Sequence, residues 1–306
     1  MAASGPGEVK RSDRDWAVGE ALAWTVEYLT RKEVENPRRS AEWLLSAATD
    51  LSRIELYAHF DRPLSPRERT SLREGISRRA AGEPLQYVTG EMPFRHIVLK
   101  VRPGVFIPRP ETEVLVDAVL THLDASGLPE PTVVDLCTGS GAIAVSIAYE
   151  RSGARVHATE VVTATSAVAC ENAERCGVSD RVTVLEGDLF APLPAGLRGA
   201  VDVIVSNPPY IPTADLAALP AEVGGFEPRI ALDGGPDGLD VARRIFEEAG
   251  SWLRPGGLLA VELDETRVAA AADEMRARFD DVRVVFDLAG RARIVIGTSL
   301  AGPTIG

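Results

Sequence analysis

The sequence predicts an α/β protein in which a mostly parallel sheet, covered by helices on both faces, follows a small helical region. Two observations favour this fold class. From residue 132 onward, apolar β-branched runs alternate with helical repeats, as in parallel sheets whose crossovers are helices. Before residue 83, apolar residues recur only at helical spacing. With 306 residues, the chain is long enough for two ordinary domains with separate cores.

The N-terminal part predicts a tail followed by a helical domain. Residues 1–13 are small and polar, which is typical of a flexible tail. Apolar spacing then predicts four helices, over about 15–31, 37–49, 53–60 and 66–81. Ser65-Pro66-Arg67-Glu68 is typical of a capping box with proline at the first helical position. We interpret residues 14–82 as one helical domain.

Residues 83–107 predict a linker that contains a β-hairpin. Glu83-Pro84 ends the helical domain, and residues 94–101 alternate enough to predict one strand. Arg102-Pro103-Gly104 predicts the turn, and residues 105–107 predict the second strand.

Residues 108–298 predict the α/β domain, and residues 299–306 a short tail. A first helix is expected over 108–126, with acidic residues in its first turn. The strands that follow are predicted at 132–137, 154–159, 181–186, 200–206, 257–263, 282–287 and 292–297. The remaining helices are predicted at 141–151, 163–176, 237–253 and 266–279. The last two strands leave almost no room for a helix between them, so one of them is expected to be antiparallel.

Composition excludes several classes of function. The net charge of -12 is unlike the basic footprint of proteins that hold nucleic acid through its phosphates. Three cysteines without zinc spacing favour a reduced cytoplasm and no metal site. No apolar run is long enough to span a bilayer, and the N-terminus lacks the apolar core of a signal peptide. A protein without a membrane or a stable nucleic-acid partner is expected.

One motif points to chemistry on a planar nitrogen. The apolar strand Val203-Ile204-Val205 ends at Asn207-Pro208-Pro209-Tyr210, and the prolines force a stiff, extended turn. This turn is expected at the carboxyl edge of the sheet, where open α/β folds bind ligands. An amide or amino nitrogen carries two N–H donors, which the Asn207 side-chain oxygen and the Pro208 carbonyl can accept while Tyr210 packs on its face. Two such hydrogen bonds orient the lone pair of the nitrogen toward an electrophile.

A second motif, Cys137-Thr138-Gly139-Ser140-Gly141, joins the first strand of the sheet to a helix. Its glycines allow close approach of a ligand, and the helix N-terminus favours polar or anionic groups. Glu160 ends the next strand, where an acidic side chain binds ribose hydroxyls. After the third strand, Asp188 is placed to accept from an adenine amino group while Leu189 or Phe190 packs on the ring. Together with the Asn-Pro-Pro-Tyr turn, these features predict methyl transfer from S-adenosylmethionine.

With these residues the chain resembles the HemK/PrmC family, which methylates the glutamine of the Gly-Gly-Gln loop of class 1 peptide release factors. The likeness extends over nearly the whole chain. Besides the two motifs above, it rests on PLQYVTG at 84–90, VRPGVFIPRPETEVLV at 101–116, FEPRIALDGGPDGLD at 226–240 and LRPGGLLAVE at 253–262. The resemblance implies a Rossmann-like methyltransferase domain, a helical domain that docks the substrate and a connecting hairpin. A cytoplasmic monomer is expected.

The resemblance also implies roles for individual residues. Cofactor contacts are implied for residues 137–141, Glu160 and Asn207, in addition to Asp188 and Leu189, which are expected from their position after the third strand. The glutamine pocket is implied at residues 207–210, with Asn207, Pro208 and Tyr210 catalytic and S-adenosylhomocysteine as the product. Three positions depart from the family: Cys137 stands where glycine is usual, Glu160 where aspartate is common, and Leu189 where some members have an aromatic residue.

Three alternatives remain open at this stage. An adenine methyltransferase of DNA or RNA is the closest, because an exocyclic amino group has the same two N–H donors. It is expected to carry a basic groove, which the overall acidity disfavours, although residues 38–79 are rich in arginine. A nucleotide-binding module without turnover does not need the Asn-Pro-Pro-Tyr turn. A nicotinamide-dependent oxidoreductase usually has a third glycine in its loop, which this chain lacks.

Overall fold

A computed structural model describes residues 16–300. The predicted N-terminal tail (1–13) and residues 301–306 of the predicted C-terminal tail lie outside the described residues. The chain divides into two compact units, Met1–Thr89 and Gly90–Gly306, called unit 1 and unit 2 below. Unit 1 contains the helical region, and unit 2 contains the hairpin and the sheet.

From residue 16 onward, unit 1 consists of five helices around one apolar core. Their bounds are α1 Val18–Arg31, α2 Pro37–Thr49, α3 Arg53–Ala58, α4 Pro66–Ala80 and α5 Leu85–Thr89. The core contains buried leucine and isoleucine side chains from four of them, among them Leu22, Leu29, Leu45, Leu56 and Ile76. The predicted capping box begins α4: Glu68 N donates to Ser65 Oγ at 3.3 Å, and Ser65 N donates to the Glu68 carboxylate at 2.7 Å. Helix α5 is not predicted, because five residues are too few to show a helical period.

The hairpin differs from the prediction in the position of its turn. Its antiparallel arms are β1 Glu91–Phe94 and β2 Ile97–Lys100. The strand predicted over 94–101 therefore contains β2, but its partner precedes it, and residues 105–107 form no strand. The turn places Arg95 in the left-handed region, at φ 50°. Arg95 N donates to the Glu113 carboxylate at 3.1 Å, and the guanidinium binds Glu150 at 2.6 and 2.8 Å. These partners are distant in the sequence, so the local pattern does not reveal the turn.

Unit 2 contains a seven-stranded sheet. Its strands are β3 Thr132–Leu136, β4 Arg155–Glu160, β5 Val182–Glu186, β6 Val201–Ser206, β7 Leu253–Glu262, β8 Phe279–Phe286 and β9 Ala292–Ser299. They lie in the order β5-β4-β3-β6-β7-β9-β8. The pairs from β5 to β7 are parallel, and β9 is antiparallel to both β7 and β8. The predicted α/β class is confirmed, and β9 is the antiparallel strand expected near the end.

Helices cover both faces of the sheet. Those of unit 2 are α6 Thr112–Ser126, α7 Ala142–Glu150, α8 Thr163–Arg175, α9 Ala221–Gly224, α10 Asp240–Trp252 and α11 Val268–Met275. Val133 packs in the core beneath α6, α7 and α8, while its neighbour Val134 packs in the core beneath α10 and α11, as the alternation along a strand requires. No helix between residues 16 and 300 is long and apolar enough to cross a membrane.

The strand order reverses between β3 and β6. From β3 the chain continues to β4 and β5 on one side and then returns to β6 on the other, with Leu136 beside Ser206 at the strand ends. Such a reversal separates the loops that follow the two strands and opens a crevice for ligands. Those two loops are residues 137–141 and 207–210, the motifs that the sequence singles out.

Candidate active site

A cavity of about 690 Å³ lies at this crevice. Its walls come from the loops after β3, β4, β5 and β6 and from residues within 104–112 and 223–233. It brings together all but one of the site residues predicted from the sequence: Cys137, Thr138, Gly139, Ser140, Glu160, Asp188, Leu189, Asn207, Pro208, Pro209 and Tyr210.

The exception is Gly141, which lies behind the cavity wall. It is the N-cap of α7, with φ 83°. A Cβ at this position would lie 3.2 Å from the Ala169 Cβ of α8. The glycine therefore allows α7 to pack closely on α8, and its influence on a bound ligand is indirect.

Two carboxyl groups, those of Asp135 and Glu160, bind the loop after β3. Asp135 is fully buried, and its Oδ2 accepts from Thr138 Oγ1 at 2.6 Å and from Ala144 N at 3.1 Å. From the other side, Glu160 Oε2 accepts from Gly139 N at 3.0 Å. Burial raises the pKa of Asp135 to about 7, although the two donated hydrogen bonds oppose the rise. These contacts fix the loop before any ligand binds.

Cys137 lies in the left-handed region, at φ 58°, which non-glycine residues rarely adopt. The loop thus accommodates a side chain where the family resemblance leads one to expect glycine. Burial raises the pKa of the Cys137 thiol to about 12. The thiol therefore stays protonated near neutral pH and forms a small apolar part of the wall.

Glu160 combines a structural contact with free acceptor capacity. Its Oε1 accepts from Val162 N at 3.0 Å, and its Oε2 accepts from the loop after β3. Each carboxylate oxygen retains a further lone pair. Because Glu160 lines the cavity, a diol bound there can donate to these lone pairs.

The turn after β5 supplies a carboxylate and an apolar side chain. Asp188 Oδ2 accepts from Arg244 Nη2 at 2.6 Å, which leaves Oδ1 for a further donor. Leu189 is buried and lines the cavity. Phe190 instead stacks on Trp252 in the core beneath α10, with ring centroids 5.8 Å apart. Of the two residues predicted as alternatives for packing on an adenine ring, Leu189 therefore lines the cavity and Phe190 does not.

The Asn207 amide is held by its nitrogen. Nδ2 donates to Thr112 Oγ1 and to Glu262 Oε1, both at 3.1 Å. Its two N–H groups are thereby used. Within residues 16–300, no donor binds Asn207 Oδ1 or the Pro208 carbonyl. Two unused acceptors therefore lie at the cavity wall beside Tyr210.

Glu262, at the end of β7, lies behind Asn207 and does not line the cavity. Its Oε1 also accepts from Thr112 Oγ1 at 3.1 Å. Burial is the main reason that the pKa of Glu262 is raised to about 7; the charge of Glu111 contributes to the rise, while donation from Thr112 and Asn207 and the charge of Arg293 oppose it. In the part of the chain that the structure describes, no donor binds its buried Oε2.

Backbone contacts also position the turn after β6. Ile211 N donates to Leu232 O at 2.9 Å, and Gly234 N donates to Ile211 O at 2.8 Å. Gly238 lies so close that a Cβ there would be 2.3 Å from the Tyr210 carbonyl oxygen, and its φ is 82°. Glycine is required at this position for both reasons.

A buried ion pair joins two walls of the cavity. The Glu227 side chain, which is 1% exposed, accepts from Arg109 Nη2 and, at 3.2 Å, from Ile107 N. The Arg109 guanidinium lies 4.8 Å from the centre of the Phe106 ring. These contacts fix the segment before α6 against the loop that precedes α10.

Sequence reasoning missed four residues that shape the site: Thr112, Glu227, Arg244 and Glu262. Their partners lie 55 to 150 residues away along the chain, so spacing does not reveal them. Three of them fall in the segments PETE, FEPR and LAVE, whose polar residues had no assigned role. Those unexplained residues were the available signal.

The topology separates two kinds of acceptor within one cavity. Glu160 and Asp188 follow β4 and β5 on one side of β3, whereas the Asn207 and Pro208 oxygens follow β6 on the other. The arrangement suits a nucleoside on the first side and a planar NH2 group on the second. Among the residues described, no group of three or more His, Cys, Asp or Glu side chains is placed to hold a metal ion.

Comparison with known proteins agrees with this geometry. Residues 20–90 match the family model of the PrmC N-terminal domain, and residues 97–218 match that of the methyltransferase small domain. The release factor glutamine methyltransferase of Moorella thermoacetica is 48% identical over 276 residues, which span 90% of this chain and 95% of that protein. That of Geobacter sulfurreducens is 48% identical over 248 residues, which span 81% and 84%.

A solved structure shares the fold. The hMettl16 catalytic domain in complex with MAT2A 3'UTR hairpin 6 superposes with a TM-score of 0.53. The match covers 76% of this chain and 84% of that one, at 17% identity. At this identity the likeness shows the fold alone.

Proposed function

The chain belongs to the family of release factor glutamine methyltransferases, and from this premise we propose that it methylates the glutamine of the Gly-Gly-Gln motif in class 1 release factors. The observation that carries the proposal is the pair of unused acceptors, Asn207 Oδ1 and the Pro208 carbonyl. A primary amide that leaves water needs an acceptor for each of its two N–H groups. The proposed product is N(5)-methylglutamine.

The methyl group comes from S-adenosylmethionine, whose sulfonium supplies an electrophilic methyl when bound. The loops after β3, β4 and β5 fit its nucleoside. The backbone at Gly139 is open, since a Cβ there would meet no atom within 4 Å. We assign Glu160 to the ribose hydroxyls, Asp188 Oδ1 to the adenine amino group and Leu189 to the face of the ring.

On the substrate side, Asn207 and Pro208 hold the glutamine amide and Tyr210 packs on its plane. Accepting both N–H groups orients the nitrogen lone pair along the line of displacement, which is an effect of proximity and orientation. Burial raises the pKa of Tyr210, so the ring presents a neutral phenol. Apolar walls favour the reaction, because the positive charge concentrated on the sulfonium is spread between sulfur and nitrogen in the transition state.

No strong base is required in this scheme. The amide nitrogen attacks first, and its proton can leave to water afterwards. In agreement, no histidine in the described part of the chain lines the cavity, and the Cys137 thiol is held protonated by burial.

We further propose that unit 1 docks the release factor and that unit 2 acts as the methyltransferase domain. Unit 1 has its own core, so it can present a rigid surface to a protein partner. The net charge of -12 and the three free cysteines support a cytoplasmic enzyme without a stable nucleic-acid or membrane partner. We propose a monomer as the active form.

The test is methyl transfer from labelled S-adenosylmethionine, with unmethylated release factor and duplex DNA offered side by side. Peptide mass spectrometry then locates the label. We expect one methyl on the Gly-Gly-Gln glutamine, and a rate at least about 100-fold lower in Asn207→Ala, which removes an oriented acceptor. A release factor with alanine in place of that glutamine is the matched control and is expected to remain unlabelled.

Label in the DNA with none in the release factor would overturn the proposal. The Asn-Pro-Pro-Tyr turn would then be an adenine pocket, since an exocyclic amino group needs the same two acceptors. The same assay with RNA tests the remaining nucleic-acid substrate.

A further inference from the structure

We infer that Glu262 and Thr112 are positioning residues that decide which end of the Asn207 amide faces the substrate. The inference rests on the proposed function, because it concerns the acceptor that Asn207 offers to the glutamine. The two ends of an asparagine amide have nearly the same size but opposite hydrogen-bonding character. Only the oxygen end can accept an N–H group of the substrate, so the orientation decides whether the site works.

The three side chains form a closed triangle of hydrogen bonds. Asn207 Nδ2 donates to Thr112 Oγ1 and to Glu262 Oε1, each at 3.1 Å. Thr112 Oγ1 in turn donates a hydrogen bond to the same Glu262 Oε1, also at 3.1 Å. In this triangle Asn207 Nδ2 only donates, Thr112 Oγ1 both accepts and donates, and Glu262 Oε1 only accepts.

This polarity excludes the flipped amide. A flip would place Asn207 Oδ1 against Glu262 Oε1, two oxygens without a proton between them. The Thr112 hydroxyl has a single proton, so it can donate either to Glu262 or to the flipped Asn207 oxygen, and the other oxygen is left without a donor. Thr112 and Glu262 are 3% and 2% exposed, so water has little access to replace a lost partner, and an unpaired polar group there is costly.

The same geometry argues that Glu262 does not transfer a proton itself. It does not line the cavity, and its Oε1 is engaged by two donors. Its buried Oε2 has no donor within residues 16–300, so a proton can reside there without disturbing the triangle. The positioning role is thus available to the carboxylate and to the carboxylic acid alike.

The first experiment compares Glu262→Met with Glu262→Gln. Methionine has a similar length but no oxygen acceptor, whereas the Gln oxygen can accept both donations. The reaction measured is methylation of release factor, and the wild-type enzyme is the reference. Relative to it, we expect kcat to fall about 100-fold in the Met variant and to stay within about threefold in the Gln variant. The KM for release factor should change little, because its other contacts are untouched. Melting temperature and affinity for S-adenosylhomocysteine report folding and the cofactor side separately.

A second experiment reverses the polarity. Asn207→Asp places an acceptor oxygen against Glu262, and we expect at least about a 100-fold loss of kcat. Adding Glu262→Gln supplies an N–H donor at the contact, so the double variant should recover about tenfold relative to Asn207→Asp alone. A residue that merely fills space would give no such recovery. Comparing Asn207→Asp with the double variant therefore tests the orienting role of Glu262 even if the Met variant does not fold.

Two results would overturn the inference. A Gln variant as slow as the Met variant would assign Glu262 to charge or proton transfer, and a double variant no faster than Asn207→Asp would deny the contact any orienting role. A wild-type enzyme that methylates no release factor would instead overturn the proposed function, so the two failures are distinguishable.

Discussion

Gly238 is the position at which a single methyl group should displace the reactive turn. In Gly238→Ala, the new Cβ would lie 2.3 Å from the Tyr210 carbonyl oxygen, whereas such contacts in proteins are essentially never under 3.0 Å. The turn after β6 must therefore move by the difference, 3.0 minus 2.3, or about 0.7 Å. A misplacement of about 1 Å can lower a rate about 100-fold. We expect kcat/KM for release factor to fall by about that factor.

The second effect of the substitution concerns stability. Alanine at φ 82° lies in the left-handed region, which costs about 1–2 kcal/mol. In a protein of this size, each kcal/mol lowers Tm by about 2–4 °C. Gly127 provides the matched control, because it has φ 65° and a Cβ there would meet no atom within 4 Å. It caps the C-terminus of α6, about 20 Å along the helix from Thr112.

The assay measures Tm by calorimetry and kcat/KM by methyl transfer for both variants. Gly127→Ala should lose stability and keep its activity, whereas Gly238→Ala should lose both. Near-normal kcat/KM in Gly238→Ala would refute the reasoning, since it would mean that the backbone relaxes without moving the acceptors. Equal losses of activity in the two variants would refute it as well, because the strain rather than the contact would then be responsible.

Three further predictions follow from buried or cavity-lining polar groups. Asn172 is fully buried and binds the Lys100 N–H and the Lys100 and Ser140 carbonyls at 2.7, 3.0 and 2.8 Å; Asn172→Leu should lower the free energy of unfolding in urea by about 2–4 kcal/mol, and an unchanged midpoint would contradict this. Because burial raises the pKa of Asp135 to about 7, its neutral form favours the folded state, so stability should fall as pH rises from about 4 through 7. Asp135→Asn should flatten this decline in urea unfolding, and an identical pH profile would disprove the assignment. Glu160→Ala should weaken S-adenosylmethionine binding about 10–100-fold in titration calorimetry through the loss of a charged acceptor; wild-type affinity would remove Glu160 from the ribose site.

The fold was predictable because its elements are long and strongly patterned. Strand β6 and the turn after it could be read directly from an apolar run and two prolines. The hairpin was placed wrongly because the turn at Arg95 is stabilised by Glu113 and Glu150, whose proximity only the tertiary structure provides. The local sequence shows which residues alternate as in a strand or repeat as in a helix. It does not show which distant residues will contact a turn.

The same division applies to the site. The acceptors that we assign to the amide and the ribose lie at strand ends, so topology and residue type together predict their position. The supporting residues Thr112, Glu227 and Glu262 could not be predicted, because each acts through a contact more than 50 residues away. Phe190 is a case in which the residue type suits two locations. It lies in the core rather than at the cavity because it stacks on Trp252, which the local sequence does not reveal.

The sheet order has a consequence for synthesis on the ribosome. Strand β9 is the last of the described chain, yet it lies between β7 and β8, and it pairs Ile294 with Glu262. A nascent chain that ends before β9 leaves one edge of β7 unpaired and gives β8 no neighbour to join. The cofactor loops after β3, β4 and β5 can form in such a chain, whereas the strand that carries Glu262 is incompletely held. Catalytic competence should therefore appear only after β9 has been translated and inserted between β7 and β8.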